Sequence, residues 1–208
     1  MDDDEDVPQL SVATLAALSE FYQEQAARQE AEAAADGSGD MPQEDWQLSQ
    51  FWYSKETAQA LAQEAISAAG DQGKVACISC PTLYHKLCEV KPASLEAKIL
   101  EYDQRFKSFG EDFVFYDYNH PTDLPENFEH AFDLVIADPP FLSEECLTKT
   151  VETVNYLAKE KVLVCTGAVM MDCLKGLMDV ERTKFTPRHE NNLSNEFCCY
   201  ANYKTVYL

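Results

Sequence analysis

The sequence predicts an α/β domain with a mostly parallel sheet and helices on both of its faces. Short apolar runs alternate with helical patterns along most of the chain after residue 45. The runs are almost continuously apolar, which is typical of parallel strands buried on both faces. The last two strand-like runs have no room for a helix between them, which predicts an antiparallel pair at one end of the sheet.

Residues 1–44 are predicted to form an acidic appendage ahead of the domain, which spans residues 45–208. The segment "QLSVATLAALSEFYQEQAARQEAEAAA" is rich in helix formers, and "DGSGDMPQED" after it has the Gly, Ser and Pro content of a flexible linker. Two interpretations stay open for the helical segment. It docks on the domain or on a partner, or it is a partly disordered tail.

The domain begins with a predicted helix. In "WQLSQFWYSKETAQALAQEAISAAG", helical spacing puts an apolar set on one face, and Gly70 ends the helix. That set is Ala58, Leu61, Ala62, Ala65 and Ile66. The first predicted strand, "KVACISC", follows and leads into the helix "TLYHKLCEV".

Four more predicted strands follow, and a terminal hairpin ends the chain. The strands are "KILEYD", "FVFYDYN", "FDLVIADPP" and "KVLVCTG", with helices "SEECLTKTVETVNYLAKE" and "AVMMDCLKGLM" after the last two. The runs "RTKFTPRH" and "NEFCCYANY", joined by the polar loop "ENNLS", are predicted to pair as the hairpin.

Composition restricts the partners and the compartment. The formal net charge is −21 and the sequence pI is about 4.4, which disfavours a nucleic-acid substrate and favours a basic protein partner. No apolar run approaches the roughly 20 residues that cross a bilayer, so we expect no membrane segment. The start "MDDDEDVPQL" lacks the features of a secretory signal, and we expect a cytoplasmic protein whose eight cysteines stay reduced.

Acidic side chains follow several of the predicted strands. Glu101 and Asp103 end the second strand, Asp117 the third and Asp138 the fourth. Ligands of open parallel sheets bind outside the carboxyl ends of the strands, where such side chains meet. Carboxylates there can accept hydrogen bonds from ribose hydroxyls or an adenine amino group. The pattern therefore indicates a nucleoside-like cofactor.

The segment Asp138-Pro139-Pro140-Phe141 has the chemistry of an amine cradle. Consecutive prolines fix two φ angles and force Asp138 into an extended conformation, so its carboxylate and the nearby carbonyls are rigid acceptors. Two acceptors would take the hydrogens of an amine, and the ring of Phe141 would pack on the substrate. The structural alternative is a strand exit that leads into a helix capped by Ser143.

These residues resemble the [DNS]-P-P-[YFW] motif of S-adenosylmethionine-dependent amino methyltransferases. Residues 45–205 are similar to a eukaryotic family first named an N6-adenine DNA methyltransferase-like group and later assigned to lysine methylation of translation elongation factor 1-alpha. The stretches that match are "WQLSQFWYSKETA", "EYDQRF", "FYDYN", "ADPPFLSEECL" and "TPRHENNLSNEF". The resemblance implies a Rossmann-like, seven-stranded S-adenosylmethionine-dependent methyltransferase fold with an antiparallel last strand.

The resemblance also implies roles for single residues. Glu101 or Asp103 would bind the ribose of S-adenosylmethionine, Asp117 and Tyr118 would lie beside its adenine, and Asp138 to Phe141 would hold the target amine. An aromatic segment would flank the methionine end of the cofactor; its residues are Gln50, Phe51, Trp52 and Tyr53. A hydrophobic staple ahead of the helix is the alternative for that segment.

One feature departs from the family pattern. The first strand normally leads into a Gly-rich loop, but here it leads into "CISCPTLYHKL", which contains no glycine. We therefore expect Ser79 to Thr82 to line the site in a different way.

Other candidate sites are weaker. The spacing of Cys77, Cys80, His85 and Cys88 is metal-like, but Cys77 falls within a strand and Cys88 on a helix, so we expect no metal site. The side chains of His120, His130 and His189 are expected at the surface. Arg188 and Asn195 either border the mouth of the substrate site or stabilise the hairpin.

The leading hypothesis is methyl transfer from S-adenosylmethionine to a lysine of elongation factor 1-alpha. Two alternatives stay open. Adenine-N6 methylation of nucleic acid would use the same cradle but needs a cationic track, which the charge opposes. A non-catalytic binding module would explain the missing glycines.

Overall fold

The computed structural model describes residues 41–191, 193 and 195–208. The predictions for residues 1–40 lie outside these described residues. Residues 42 and 44 contact the domain, because the indole N–H of Trp52 donates to the Pro42 carbonyl at 2.9 Å and the Trp52 backbone N–H donates to Glu44 Oε1 at 2.7 Å. None of the helices in this part of the chain is both long and apolar enough to cross a membrane.

The fold is a seven-stranded sheet in the order β3-β2-β1-β4-β5-β7-β6. Strands β1 to β5 are parallel, β7 is antiparallel to β5, and β6 is antiparallel to β7. The strands are β1 (Lys74–Ile78), β2 (Glu96–Glu101), β3 (Phe113–Phe115), β4 (Phe132–Ala137), β5 (Ala158–Gly167), β6 (Glu181–Arg182) and β7 (Phe197–Ala201). The predicted Rossmann-like methyltransferase fold with an antiparallel last strand is confirmed.

Among the described residues, four α-helices cover the two faces of the sheet, and short 3-10 helices lie in the connections. The α-helices are α1 (Lys55–Ala69), α2 (Pro81–Val90), α3 (Glu144–Leu157) and α4 (Met171–Leu177). The 3-10 helices are Trp46–Leu48, Gln104–Asp112, Glu126–Phe128 and Ala168–Met170. The sequence did not predict the segment at Gln104–Asp112, which Gly110 breaks at a φ of +64°.

The helix ends at Gly70 and Ser143 form where the sequence predicts them. The Ser54 hydroxyl accepts a hydrogen bond from the Thr57 backbone N–H at the start of α1, and Gly70 caps its end with a φ of +80°. Ser143 caps α3 in the same way through the backbone N–H of Cys146, and Glu144 and Glu145 in the first turn favour the helix dipole.

The core has two layers, one on each face of the sheet. Helices α1 and α2 pack on one face through side chains such as Leu61 and Leu83, against alternate strand residues such as Cys77 and Ile99. Helices α3 and α4 cover the other face with Leu147, Val154 and Leu174 among their buried side chains. The alternation follows from the two-residue period of a strand, since successive side chains point to opposite faces.

The predicted location of the first strand of the hairpin was wrong. The strand β6 is only two residues long and ends at Arg182, so most of "RTKFTPRH" is not paired with β7. Two backbone hydrogen bonds instead tie this region to the segment before α1, from the Ser54 N–H to the Arg188 carbonyl and from the Glu190 N–H to the Trp52 carbonyl, both 2.8 Å. Pro187 also has no N–H with which to extend a ladder.

The carboxyl-terminal segment is held to α1 by a buried carboxylate that the sequence did not single out. Glu64 is 1% exposed, and its Oε2 accepts the backbone N–H groups of Val206 at 2.9 Å and Tyr207 at 2.7 Å. On the neighbouring strand, Lys161 donates to the Ala68 carbonyl and lies over the ring of Tyr203. These contacts close the α1 face of the domain.

We expect Glu64→Ala to lower the free energy of unfolding by roughly 1–3 kcal/mol, because two backbone donors lose their acceptor in a buried site. Urea denaturation followed by far-UV circular dichroism measures the change. The control is Gln63→Ala on the exposed face of the same helix, expected within about 0.5 kcal/mol of the parent. Equal stability of the two variants would contradict the clamping role of Glu64.

Candidate active site

The first residues after the strands are fixed at one edge of the sheet. The Ser79 N–H donates to the Leu100 carbonyl at 2.9 Å, the Asp138 N–H to the Ile78 carbonyl at 3.0 Å, and the Tyr116 N–H to the Glu101 carbonyl at 3.0 Å. These bonds extend the parallel ladders past the ends of β1, β4 and β3. Side chains from three loops therefore face the same volume.

A cavity of about 640 Å³ opens at this edge, within the usual size of a small-molecule site. Nearly every residue that the sequence predicts for the site lines it. These residues are Gln50, Phe51, Trp52, Tyr53, Ser79, Glu101, Asp117, Tyr118, Asp138, Pro139, Pro140 and Phe141. Pro81 and Thr82, at the start of α2, also line it.

Asp103 is the predicted site residue that does not line the cavity. It is 6% exposed, and its carboxylate binds the Arg105 guanidinium at 2.7 Å and accepts from the Gln50 amide at 2.8 Å. Burial acts in the opposite direction, but the hydrogen bonds from Arg105 and Gln50 lower the pKa of Asp103 below its usual value. Asp103 thus joins the loop after β2 to the segment before α1.

Glu101 is the acid that the structure places in the cavity wall. Its Oε1 accepts the backbone N–H groups of Tyr102 at 3.0 Å and Asp103 at 3.2 Å. Its Oε2 has no protein donor among the described residues, which leaves it for a ligand. Burial, with smaller effects from the charges of Asp103 and Asp138, raises the pKa of Glu101 to about 7.

Asp138 also lines the cavity, directly after the end of β4. The Tyr53 hydroxyl donates to its Oδ2 at 2.6 Å. Burial raises the pKa of Asp138 to about 7, although the Tyr53 hydrogen bond lowers it in part. Pro139 and Pro140 follow and also line the cavity.

Aromatic rings border the site beyond Asp138. Phe141 is 41% exposed and meets the ring of Tyr118 edge-on at 5.9 Å between centroids. Asp117 beside it accepts from the backbone and side-chain N–H groups of Asn119, which fixes the turn after β3. An exposed aromatic ring next to a part-buried acceptor suits a long side chain that ends in an amine.

The glycine-free loop is explained by the backbone of Ser79. Its φ of +54° lies in the left-handed region, which glycine adopts without cost and other residues rarely adopt. Ser79 therefore takes the conformation that a glycine would provide at the end of β1. The close approach of this backbone to the cavity is kept, although the sequence lacks the glycines that usually signal it.

Several lining residues were missed by the sequence reasoning. They are Tyr102, Tyr116, Leu193 and Phe197, together with His189. The prediction that His189 is a surface residue was wrong, since its ring packs on Tyr53 at 5.1 Å and Phe197 at 4.8 Å between centroids. Burial lowers the pKa of His189 to about 4, so the ring is neutral at physiological pH. The family-like stretch "TPRHENNLSNEF" was the available signal.

The remaining candidates can also be placed. His120 and His130 are exposed, as predicted. Asn195 lines the cavity, whereas the Arg188 side chain is exposed and its backbone N–H donates to the Thr57 hydroxyl. Within the described ranges, no group of three or more His, Cys, Asp or Glu side chains could hold a metal, and all eight cysteines are free thiols.

The geometry suits a reaction in which hydrogen-bond acceptors of the protein hold two small reacting groups next to each other. Glu101 and Asp138 both offer carboxylate oxygens to one cavity, which aromatic side chains also line. Among the described residues, the cavity lining has no arginine or lysine that would neutralise a phosphate backbone. Alignment and desolvation are therefore the contributions that this site can make.

The comparisons with known proteins agree with this geometry. A family model described as "Probable N6-adenine methyltransferase" matches residues 44–205. The chain is 55% identical to EEF1A lysine methyltransferase 1 of Gallus gallus over 207 residues, which cover 97% of each chain. It is 54% identical to EEF1A lysine methyltransferase 1 of Homo sapiens over 204 residues, with 97% of this chain and 94% of the relative covered.

A solved structure shows the same fold at low sequence identity. The branched-chain polyamine synthase of Thermus thermophilus, in complex with N4-aminopropylspermidine and 5′-methylthioadenosine, superposes with a TM-score of 0.58 at 15% identity. The match covers 85% of this chain and 62% of the synthase. At this identity the likeness concerns the fold alone.

We expect Ser79→Gly to keep or raise the free energy of unfolding, and Ser79→Val to lower it by about 1–2 kcal/mol, because a β-branched side chain is strained at positive φ. Ser79→Ala serves as the control, since it removes the hydroxyl but keeps a Cβ. Chemical denaturation of the three variants measures the order Gly, Ala, Val. A valine variant as stable as the glycine variant would contradict the backbone explanation.

Proposed function

Because this chain belongs to the methyltransferase family that contains the EEF1A lysine methyltransferases, we propose that it transfers a methyl group from S-adenosylmethionine to a lysine of translation elongation factor 1-alpha. The observation that carries the mechanism is that Glu101 and Asp138 line the same cavity. The chain is a protein-lysine N-methyltransferase.

The residues of the cavity fit the cofactor. The Oε2 of Glu101, which has no donor in the part of the chain that the structure describes, is an acceptor for ribose hydroxyls. Asp117 and Tyr118 supply a polar and an aromatic neighbour for adenine. Ser79 and the first turn of α2, with Thr82, would face the methionine end together with Gln50 and Phe51. When bound, S-adenosylmethionine supplies the electrophilic methyl group.

Asp138 and its prolines would hold the substrate. The Asp138 carboxylate and nearby backbone carbonyls accept the N–H groups of the lysine amine, which directs the nitrogen lone pair along one line. Phe141 packs on the aliphatic chain of the lysine. The amine has a reference pKa of about 10.4, and burial among aromatic rings favours its neutral form, which is the nucleophile.

The overall charge agrees with a protein substrate. The net charge of −21 would attract a basic partner by long-range steering and repel nucleic acid.

No observation favours adenine methylation over lysine methylation, although the description of the family model names adenine methylation. We also propose a cytoplasmic location, because the proposed substrate is a translation factor.

The main test is methyl transfer by the purified full chain. Radiolabelled S-adenosylmethionine is incubated with recombinant elongation factor 1-alpha and, in parallel, with adenine-containing DNA and RNA oligonucleotides. We expect label in a lysine of the elongation factor, located by peptide mass spectrometry, and background label in the oligonucleotides. Label confined to the oligonucleotides, or absent from all substrates, would overturn the proposal.

We expect Asp138→Ala to lower kcat by at least about a hundredfold, because the amine loses its positioning acceptor. Cofactor affinity, measured by calorimetry, should change by less than about threefold. Asp123→Ala, in an exposed loop, is the control and should match the parent. An Asp138→Ala enzyme with parental activity would contradict the assigned role.

We expect cofactor affinity to fall as the pH is lowered from 8 to 6, because Glu101 has a pKa of about 7 and its protonated form is a poorer acceptor. Glu101→Gln should bind the cofactor more weakly at pH 8, and its affinity should be almost independent of pH. Isothermal titration calorimetry with S-adenosylhomocysteine measures both. A steep pH dependence that persists in Glu101→Gln would assign the titration to another group.

A further inference from the structure

Tyr53 contacts Asp138 rather than only lining the cavity. Its ring is 2% exposed, and its hydroxyl donates to Asp138 Oδ2 at 2.6 Å across 85 positions of sequence. This is the short range of hydrogen bonds from a hydroxyl to an ionised carboxylate, which are stronger than bonds between neutral groups. The sequence had placed Tyr53 only at the methionine end of the cofactor.

The backbone holds Tyr53 on both sides. It forms an isolated antiparallel bridge with His189, and its neighbours Trp52 and Ser54 exchange backbone hydrogen bonds with Glu190 and Arg188. The imidazole ring of His189 packs on the Tyr53 ring at 5.1 Å. The hydroxyl therefore has a fixed position, and it approaches the carboxylate from one direction.

We propose that Tyr53 is a positioning residue for methyl transfer: its hydroxyl holds Oδ2 of Asp138 and so leaves Oδ1 as the oxygen that accepts from the substrate amine. The terminal torsion of an aspartate is broad, and a carboxylate without a fixed partner can present either oxygen over a range of angles. The Tyr53 hydrogen bond removes that freedom. This inference rests on the proposed function.

The same bond has an electrostatic effect. A donor to the ionised form of a carboxyl stabilises that form, which opposes the desolvation that raises the pKa of Asp138. Tyr53 itself stays neutral, because burial and the charge of Asp138 raise the pKa of its phenol. The bond thus keeps a larger share of Asp138 ionised, and ready to accept from an amine, near neutral pH.

The other titratable groups around this pair do not replace Tyr53. They come from the strands and loops packed against it and are Cys80, Glu101, Cys165, His189 and Cys199. Burial raises the pKa of the Cys80 thiol, and contact with Cys165 together with burial raises that of Cys199, so these thiols are neutral. The hydroxyl of Tyr53 is the side-chain donor that the structure gives to Asp138.

The test is Tyr53→Phe, which removes the hydroxyl and keeps the ring. We expect kcat with elongation factor 1-alpha to fall by about tenfold or more at pH 7, since small misplacements of a reacting group cost that much. The loss of kcat in Tyr53→Phe should shrink as the pH rises towards 9. The acid limb of its pH–rate profile should lie about one pH unit above that of the parent, because the Asp138 carboxylate has lost its hydrogen-bond donor. Cofactor affinity should stay within about twofold.

The matched control is Tyr84→Phe. Tyr84 is equally buried, and its hydroxyl donates to the Asp112 carboxylate at 3.0 Å, outside the cavity. It should keep the parental kcat and pH profile. Loss of one buried hydroxyl costs about 1 kcal/mol, so both variants should fold, which circular dichroism verifies.

Two results would overturn the inference. One is a Tyr53→Phe enzyme with the parental rate and pH profile. The other is a loss of rate that is equal at every pH and is accompanied by weakened cofactor binding, which would assign Tyr53 to the cofactor or to general packing. An unmodified chain that fails to methylate the elongation factor would instead refute the proposed function.

Discussion

The site depends on the parallel alignment of β1, β2 and β4. Because these strands run the same way, the residues that follow them emerge at one edge of the sheet. The backbone bonds of Ser79 and Asp138 to the neighbouring strands carry the alignment one residue further, into the loops. A shift of one residue in either ladder would turn the acidic side chains away from the cavity.

Burial of two carboxyl groups in one cavity opposes folding, but it also gives the site its chemistry. Desolvation of Glu101 and Asp138 disfavours their ionised forms and opposes folding, which partners such as the Tyr102 N–H and the Tyr53 hydroxyl offset only in part. The residual penalty sets both pKa values near neutrality. Asp103 shows the opposite solution, since a full set of protein donors leaves it ionised and structural. The different hydrogen-bond partners thus distinguish Glu101, which faces the ligand site, from Asp103, which stabilises the fold, although the two are only two residues apart.

Much of the fold could be predicted from the sequence because the signal is local. Apolar runs such as "FDLVIA" specify buried strands, and Gly70 and Ser143 mark helix ends by their own conformation or hydrogen bond. The Asp138 corner was predictable for the same reason, as its two prolines act on their immediate neighbours.

Other features could not be predicted. The two-residue strand β6 has no periodicity to detect. The Tyr53–Asp138 bond, the place of His189 and the clamp at Glu64 join residues far apart in sequence, so no local pattern specifies them. Ser79 was ambiguous because positive φ is usually signalled by glycine.

The pairing of residues 52–54 with residues 188–190 brings together the two ends of the domain. The wall that carries Tyr53 is completed by a segment that lies within the last 21 residues of the chain, and β7 then inserts beside β5. A ribosome-bound chain that has exposed every residue up to α4 still lacks this wall. A chain cut short before residue 188 would therefore lack the backbone partners of Trp52 and Ser54, and Tyr53 would no longer be held beside Asp138.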